Sequence, residues 1–176
     1  MKRVIVTVIF LACLSQAFSQ EAVKLRWSDA NSLFLVTSYN DSVPATGTEG
    51  IAYWKDEKYI HNFFNRQIDK VISATARDSL HPETSVLIAI NQRGDILNCR
   101  FIIHPADTAY ISGADLGKLY SGFMKLRIKM SRVTIYVRHE DRNKAADFAV
   151  ISGQLISKSG RERVLERTGK SAPGLR

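Results

Sequence analysis

The 176 residues are 45% hydrophobic and 24% charged, with 10 glycines and 4 prolines, which supplies apolar material for one core and excludes collagen-like, mucin-like and disordered classes. Two cysteines exclude a disulfide scaffold, and beyond residue 20 no apolar run is long enough to span a bilayer. The formal charge of +8 is unevenly spread: residues 20–115 carry 9 basic and 12 acidic side chains, whereas 116–139 carry six cations and no acid.

Met1 to Ser19 has the layout of a secretory signal, with Lys2 and Arg3 ahead of the apolar stretch Val4 to Leu14 and a small-x-small site at Ala17-Phe18-Ser19. Cleavage before Gln20 is expected, and with it an exported protein of the periplasm or exterior. Phe10-Leu11-Ala12-Cys13 is an imperfect lipoprotein signal, and only acylation of Cys13 would bring the chain to a membrane surface. Otherwise Cys99 is the single cysteine of the exported chain. It alternates with Leu97, Phe101 and Ile103 on one face of an extended segment, which makes it a core residue.

Along 20–50, Val23 to Trp27 and Leu33 to Tyr39 are β-prone runs around a polar break, read as a hairpin or packed arm, and Asn40 to Gly50 is a loop that bounds it. From Glu57 to Ser79, Tyr59, Ile60, Phe63, Phe64, Ile68, Val71 and Ile72 recur at the helical period, with Asp56 as N-cap. Ser85 to Asn91 and Ile96 to His104 flank a Gln-Arg-Gly-Asp turn and form a hairpin. Ser112-Gly-Ala-Asp115 fits a capping box that opens a second helix over Leu116, Leu119, Tyr120 and Phe123. Arg132 to His139 alternates as a strand, and Phe148 to Ile156 reads as an added strand.

With Ile51 to Trp54 as a very short first strand, the order strand, helix, strand, strand, helix, strand predicts an α+β domain over 51–157, with two helices on one face of a small antiparallel sheet. A ferredoxin-like βαββαβ fold is the alternative. Residues 158–176 read as a flexible basic tail.

No chemistry is legible. The four histidines, His61, His81, His104 and His139, stand apart at no ligand spacing; there is no nucleophile elbow and no phosphate-binding glycine loop. Asp107 with Asp115 is a carboxylate pair only if Asp115 does not cap the helix. No cofactor, metal or catalytic residue is expected.

The stretch Ser85 to Ile103, two strands around an x-x-Gly-x turn, and Ile111-Ser-Gly-Ala-Asp-Leu116 after it resemble the C-terminal domain of TonB, a periplasmic energy-transducing protein. The order of elements over 57–138 is the same. Departures are the missing Tyr-Pro before the first helix and the basic Leu126-Arg-Ile-Lys-Met130 where that family has Phe-x-Pro. The resemblance implies a related fold and a partner strand added at a sheet edge.

The expected function is therefore a non-catalytic interaction module of the cell envelope. It binds a protein partner or an anionic envelope component, and not nucleic acid, through a sheet edge at Arg132, Tyr136 and Arg138 and a basic face of Lys125, Arg127 and Lys129. Pairing of 148–156 with that edge strand would cover it. The alternative is a small envelope hydrolase with its site in the loops at 40–50 and 105–113.

Overall fold

The computed structural model describes residues 23–28, 33–38, 47–137 and 145–168. The expected signal segment with Cys13, most of the loop 40–50, Arg138 with the turn after it, and 169–176 lie outside the described residues. The described elements are β1 (Val23–Ser28), β2 (Leu33–Ser38), β3 (Glu49–Trp54), α1 (Glu57–Ile68), α2 (Ala74–Ser79), β4 (Ser85–Asn91), β5 (Ile96–Ile103), α3 (Gly113–Met124), β6 (Val133–Val137), β7 (Phe148–Gln154) and α4 (Lys158–Thr168). The fold is α+β.

Local chemistry sets the ends of these elements. Asp56 accepts the Tyr59 N–H at 3.1 Å to start α1. Ser112 and Asp115 exchange side-chain and backbone bonds in a capping box at α3. In the β4–β5 turn, Asn91 Oδ1 accepts the N–H groups of Arg93 and Asp95, and Gly94 sits at φ +82°, where a Cβ would meet Ile128 O.

The strands form one mixed sheet in the order β1-β2-β5-β4-β7-β3-β6, antiparallel except for β3 beside β7. Alternation puts Val86, Ile88 and Ile90 of β4 and Cys99, Phe101 and Ile103 of β5 on the buried face. Against it lie Phe64 and Ile68 of α1 and Leu116, Leu119 and Phe123 of α3. The Phe64 and Phe123 rings are 5.9 Å apart, and Gly153 of β7 lies under Phe64, where a Cβ would strike the ring. Each such buried ring contributes about 1.5–3 kcal/mol.

Several expectations change. The helix expected over 57–79 is two helices. Arg77 of α2 turns back to Asn65 and Asp69 at the end of α1 and to Leu155 O, while Ser73 caps α2, so the chain bends to bury a guanidinium. Residues 158–168 are a helix, not a loose tail: the Ser157 hydroxyl accepts the Gly160 N–H at 2.9 Å, and Asp78 binds Ser157, Ser159 and Arg163. The hairpin expected over 23–38 is present and is built into the main sheet, since β2 pairs with β5. The ferredoxin-like alternative fails because its four-stranded sheet has no place for β7, which lies between β4 and β3.

Asp107, 1% exposed, staples the approach to β4 to the exit of β5. Its carboxylate accepts the His81 N–H at 3.1 and 3.0 Å and the Thr84 hydroxyl, while Thr84 Oγ1 accepts the His104 N–H at 3.0 Å. It is a structural anchor and not half of a carboxylate pair, as Asp115 caps α3. Asp107→Ala removes the acceptor of the part-buried His81 N–H and of the buried Thr84 hydroxyl and is expected to cost about 3 kcal/mol in urea unfolding. A loss below about 1 kcal/mol would contradict the anchor.

Candidate functional site

β3 and β7 are paired only at Glu49↔Phe148 and Gly50↔Ala149. Beyond that point β7 stays with β4 to Gln154, and β3 stays with β6 to Trp54, extended by Lys55 N–H to Arg132 O at 3.0 Å. Each strand is held more extensively by its outer neighbour than by the other, so the two part. In a strand, alternate residues direct N–H and C=O to opposite sides. Among the described residues, the side of β7 facing away from β4 over 150–154 has no strand partner.

A cavity of about 510 Å³ fills the opening, lined by Ile51, Ala52, Trp54, Ile60, Val150 and Ile151 among others. A second, of about 310 Å³, continues along the same edge past Ser152, Gly153 and Gln154 to His61, Lys158 and Arg161. The seam thus runs from a mixed end, where Glu49 and Ser152 lie among apolar side chains, to a basic end, floored by α1. Ile51, Tyr53 and Val150 are 40%, 59% and 43% exposed, and no residue of β3 is buried. At the basic end the buried Nε of Arg161 has no hydrogen-bond partner among the described residues. An unpaired strand edge beside a groove has the geometry that an added extended strand can complete.

The residues expected to bind are distributed differently. β6 is an edge strand, and the covering strand anticipated from 148–156 is not there, because β7 lies inside the sheet. Yet the edge is blunted: Gln92 donates its amide to Ile135 O at 3.2 Å and to Ala146 O, and Ala145 bridges to the half-buried Tyr136. Arg138 lies outside the described residues. Arg132 pairs with Asp56 at 3.1 Å.

Lys125, Arg127 and Lys129 alternate with Leu126, Ile128 and Met130, the cations exposed and Ile128 buried, as an extended segment requires. Ile128 N–H bonds to Gly94 O at 2.8 Å. Arg127 meets Asp95 at 3.2 Å and Arg93 O at 3.0 Å, and Lys129 N–H meets the Tyr59 hydroxyl at 2.9 Å. Between this segment and α1 lies a groove of about 540 Å³, where Lys58, Arg66 and Lys70 face Arg127 and Lys129 across a floor that includes Phe63.

Sequence reasoning missed two features. The seam depends on the place of β7, which no local pattern reveals. His81 and His104 stack with ring centroids 3.9 Å apart and planes 13° from parallel, beside Glu83, so the only donor group of metal type among the described residues is built from histidines far apart in the chain. Cys99 is fully buried, as its alternation with Phe101 and Ile103 requires.

No protein-family model and no curated protein matches the sequence. Among solved structures the fold is similar to that of a DUF5043 family protein from Bacteroides uniformis, with a TM-score of 0.51 and 6% identity, covering 78% of this chain and 89% of that one. At that identity the likeness is one of fold alone.

The Asn91 amide, helped by Arg127 and Arg93, holds the Asp95 carboxyl below its ordinary pKa. Arg127→Ala is expected to move that pKa upward in a carboxyl NMR titration. An unmoved value would show that Arg127 is not committed to Asp95 and is free for an external anion.

Proposed function

We propose that this chain is a non-catalytic interaction module that captures an extended segment of a partner protein in the seam between β3 and β7. The observation that supports it is the strand edge at 150–154, without a strand partner among the described residues and continuous with a groove in which Ile51, Ile60 and Val150 lie beside Glu49 and Ser152. A strand laid there adds main-chain hydrogen bonds to β7 and buries alternate side chains against Ile51, Ile60 and Val150. Lys158, Arg161 and His61 at the far end favour an acidic residue at that end of the bound segment. The resemblance of 85–103 and 111–116 to the TonB C-terminal domain agrees in kind, since it implies recognition by strand addition, but the edge concerned is β7 and not β6. On this reading the mature chain begins at Gln20 and works outside the cytoplasm, in the periplasm or beyond.

A second reading rests on the groove between α1 and residues 125–130, whose five cations suit an acidic protein surface or another anionic envelope component. Arg127 is already paired with Asp95, which reduces the charge available to a partner. The seam is therefore favoured.

A displayed library of random peptides, selected on the folded protein, separates the two. The seam reading predicts peptides with alternating apolar residues and an acidic end, whose affinity falls about tenfold or more in Ile51→Asp and Val150→Asp. Both positions are exposed, so the fold is expected to persist. Selected peptides that ignore both variants and lose affinity in Arg127→Glu with Lys129→Glu, most steeply at low salt, would overturn the seam in favour of the basic groove.

A further inference from the structure

His81 precedes β4 and His104 follows β5, and the register Ser85↔Ile102 brings the two flanks of this hairpin together at its open end. Their main chains are fixed. His81 N–H is held by the Asp107 carboxylate and His104 N–H by Thr84 Oγ1, which itself donates to Asp107, and both anchors are buried. The side chains are left at the surface: both rings are half-buried and Glu83 is exposed.

The ring nitrogens define the chemistry. His81 Nδ1 accepts the Glu83 N–H at 3.3 Å and His104 Nδ1 accepts the Ala106 N–H at 3.2 Å, so each ring turns a nitrogen lone pair to a backbone amide two residues on. Glu83 Oε2 stands 3.8 Å from His81 Nδ1. One donor atom from each of His81, Glu83 and His104 lies within 4.8 Å of the others. Two imidazoles and a carboxylate on a rigid backbone are a donor set for a borderline divalent ion, and three protein ligands leave one tetrahedral position open.

We propose that His81, Glu83 and His104 form a binding site for a divalent first-row transition ion of the zinc type. Metal–donor distances near 2.0–2.2 Å require donors about 3–3.5 Å apart, so the three side chains close by roughly an ångström around the ion. Near-parallel rings share no point in both planes, so closure includes rotation of the imidazoles about their side-chain torsions. That rotation gives up two long backbone bonds and leaves the Asp107–Thr84 scaffold in place. Oxygen-preferring ions such as Mg²⁺ are poorly suited to two imidazoles. The site adjoins the far end of the seam, where Gln154 Nε2 donates to Pro82 O at 3.3 Å, but shares no lining residue with it and does not rest on how the seam is used.

The test uses the full mature chain with Zn²⁺ by titration calorimetry and Co²⁺ by visible absorption. One equivalent of Zn²⁺ is expected, shifting the ring resonances of His81 and His104 and not those of His61, and Co²⁺ is expected to give visible bands. His81→Ala and His104→Ala are expected to weaken Zn²⁺ binding about tenfold or more, and Glu83→Gln to weaken it less. Because each ring caps only a short turn, circular dichroism is expected to be unchanged; should either alanine variant unfold, Glu83→Gln and the ring shifts of the unsubstituted protein decide the matter. No saturable binding at micromolar Zn²⁺, equal binding by the folded variants, or shifts confined to other histidines would overturn the site.

Discussion

β7 is the strand on which the architecture depends. It pairs with β4 along its whole length and joins β3 at only two residues, so it links the β1-β2-β5-β4 half of the sheet to the β3-β6 half. Gly153 lets it pass beneath the Phe64 ring, and Leu155 and Ile156 beyond it are buried, which ties this strand to α1 and to α2 through Arg77. A strand so constrained on one side has little freedom to follow β3 on the other. The opening follows from that asymmetry.

Charge plays a smaller part than its total implies. Of the cations clustered over 116–139, Arg127 and Arg132 are engaged by Asp95 and Asp56, and both ion pairs are exposed. Such pairs add little to stability. Arg127–Asp95 ties the extended 125–130 segment to the β4–β5 turn, and Arg132–Asp56 ties the residue before β6 to the start of α1. The buried Arg77 is different: Asn65, Asp69 and Leu155 O surround a guanidinium that is nearly free of solvent contact, and removing a partner there leaves a charge in the core.

What was legible in the sequence was local. Asp56 before an apolar helical stripe, Ser112 three residues before Asp115, and Gln92 to Asp95 between β-branched runs each satisfy backbone or burial requirements within a few residues, and each is found as read. What was not legible depends on distant partners. The bend between Ile68 and Ala74 exists because Arg77 needs Asn65 and Asp69, and helix 158–168 is held by Asp78. The histidine pair needs the β4–β5 register, and the seam needs the placement of β7, where only the strand itself, and not its neighbours, was visible in Phe148 to Ile156.

Amide hydrogen exchange in the unliganded protein tests the open seam most directly, because it reads each N–H of β7 separately. The seam predicts alternation over 150–154: amides facing β4 exchange slowly, and those facing away exchange orders of magnitude faster. Uniform slow exchange across 148–154 would show that another segment already occupies the edge, and would contradict an open strand-binding site.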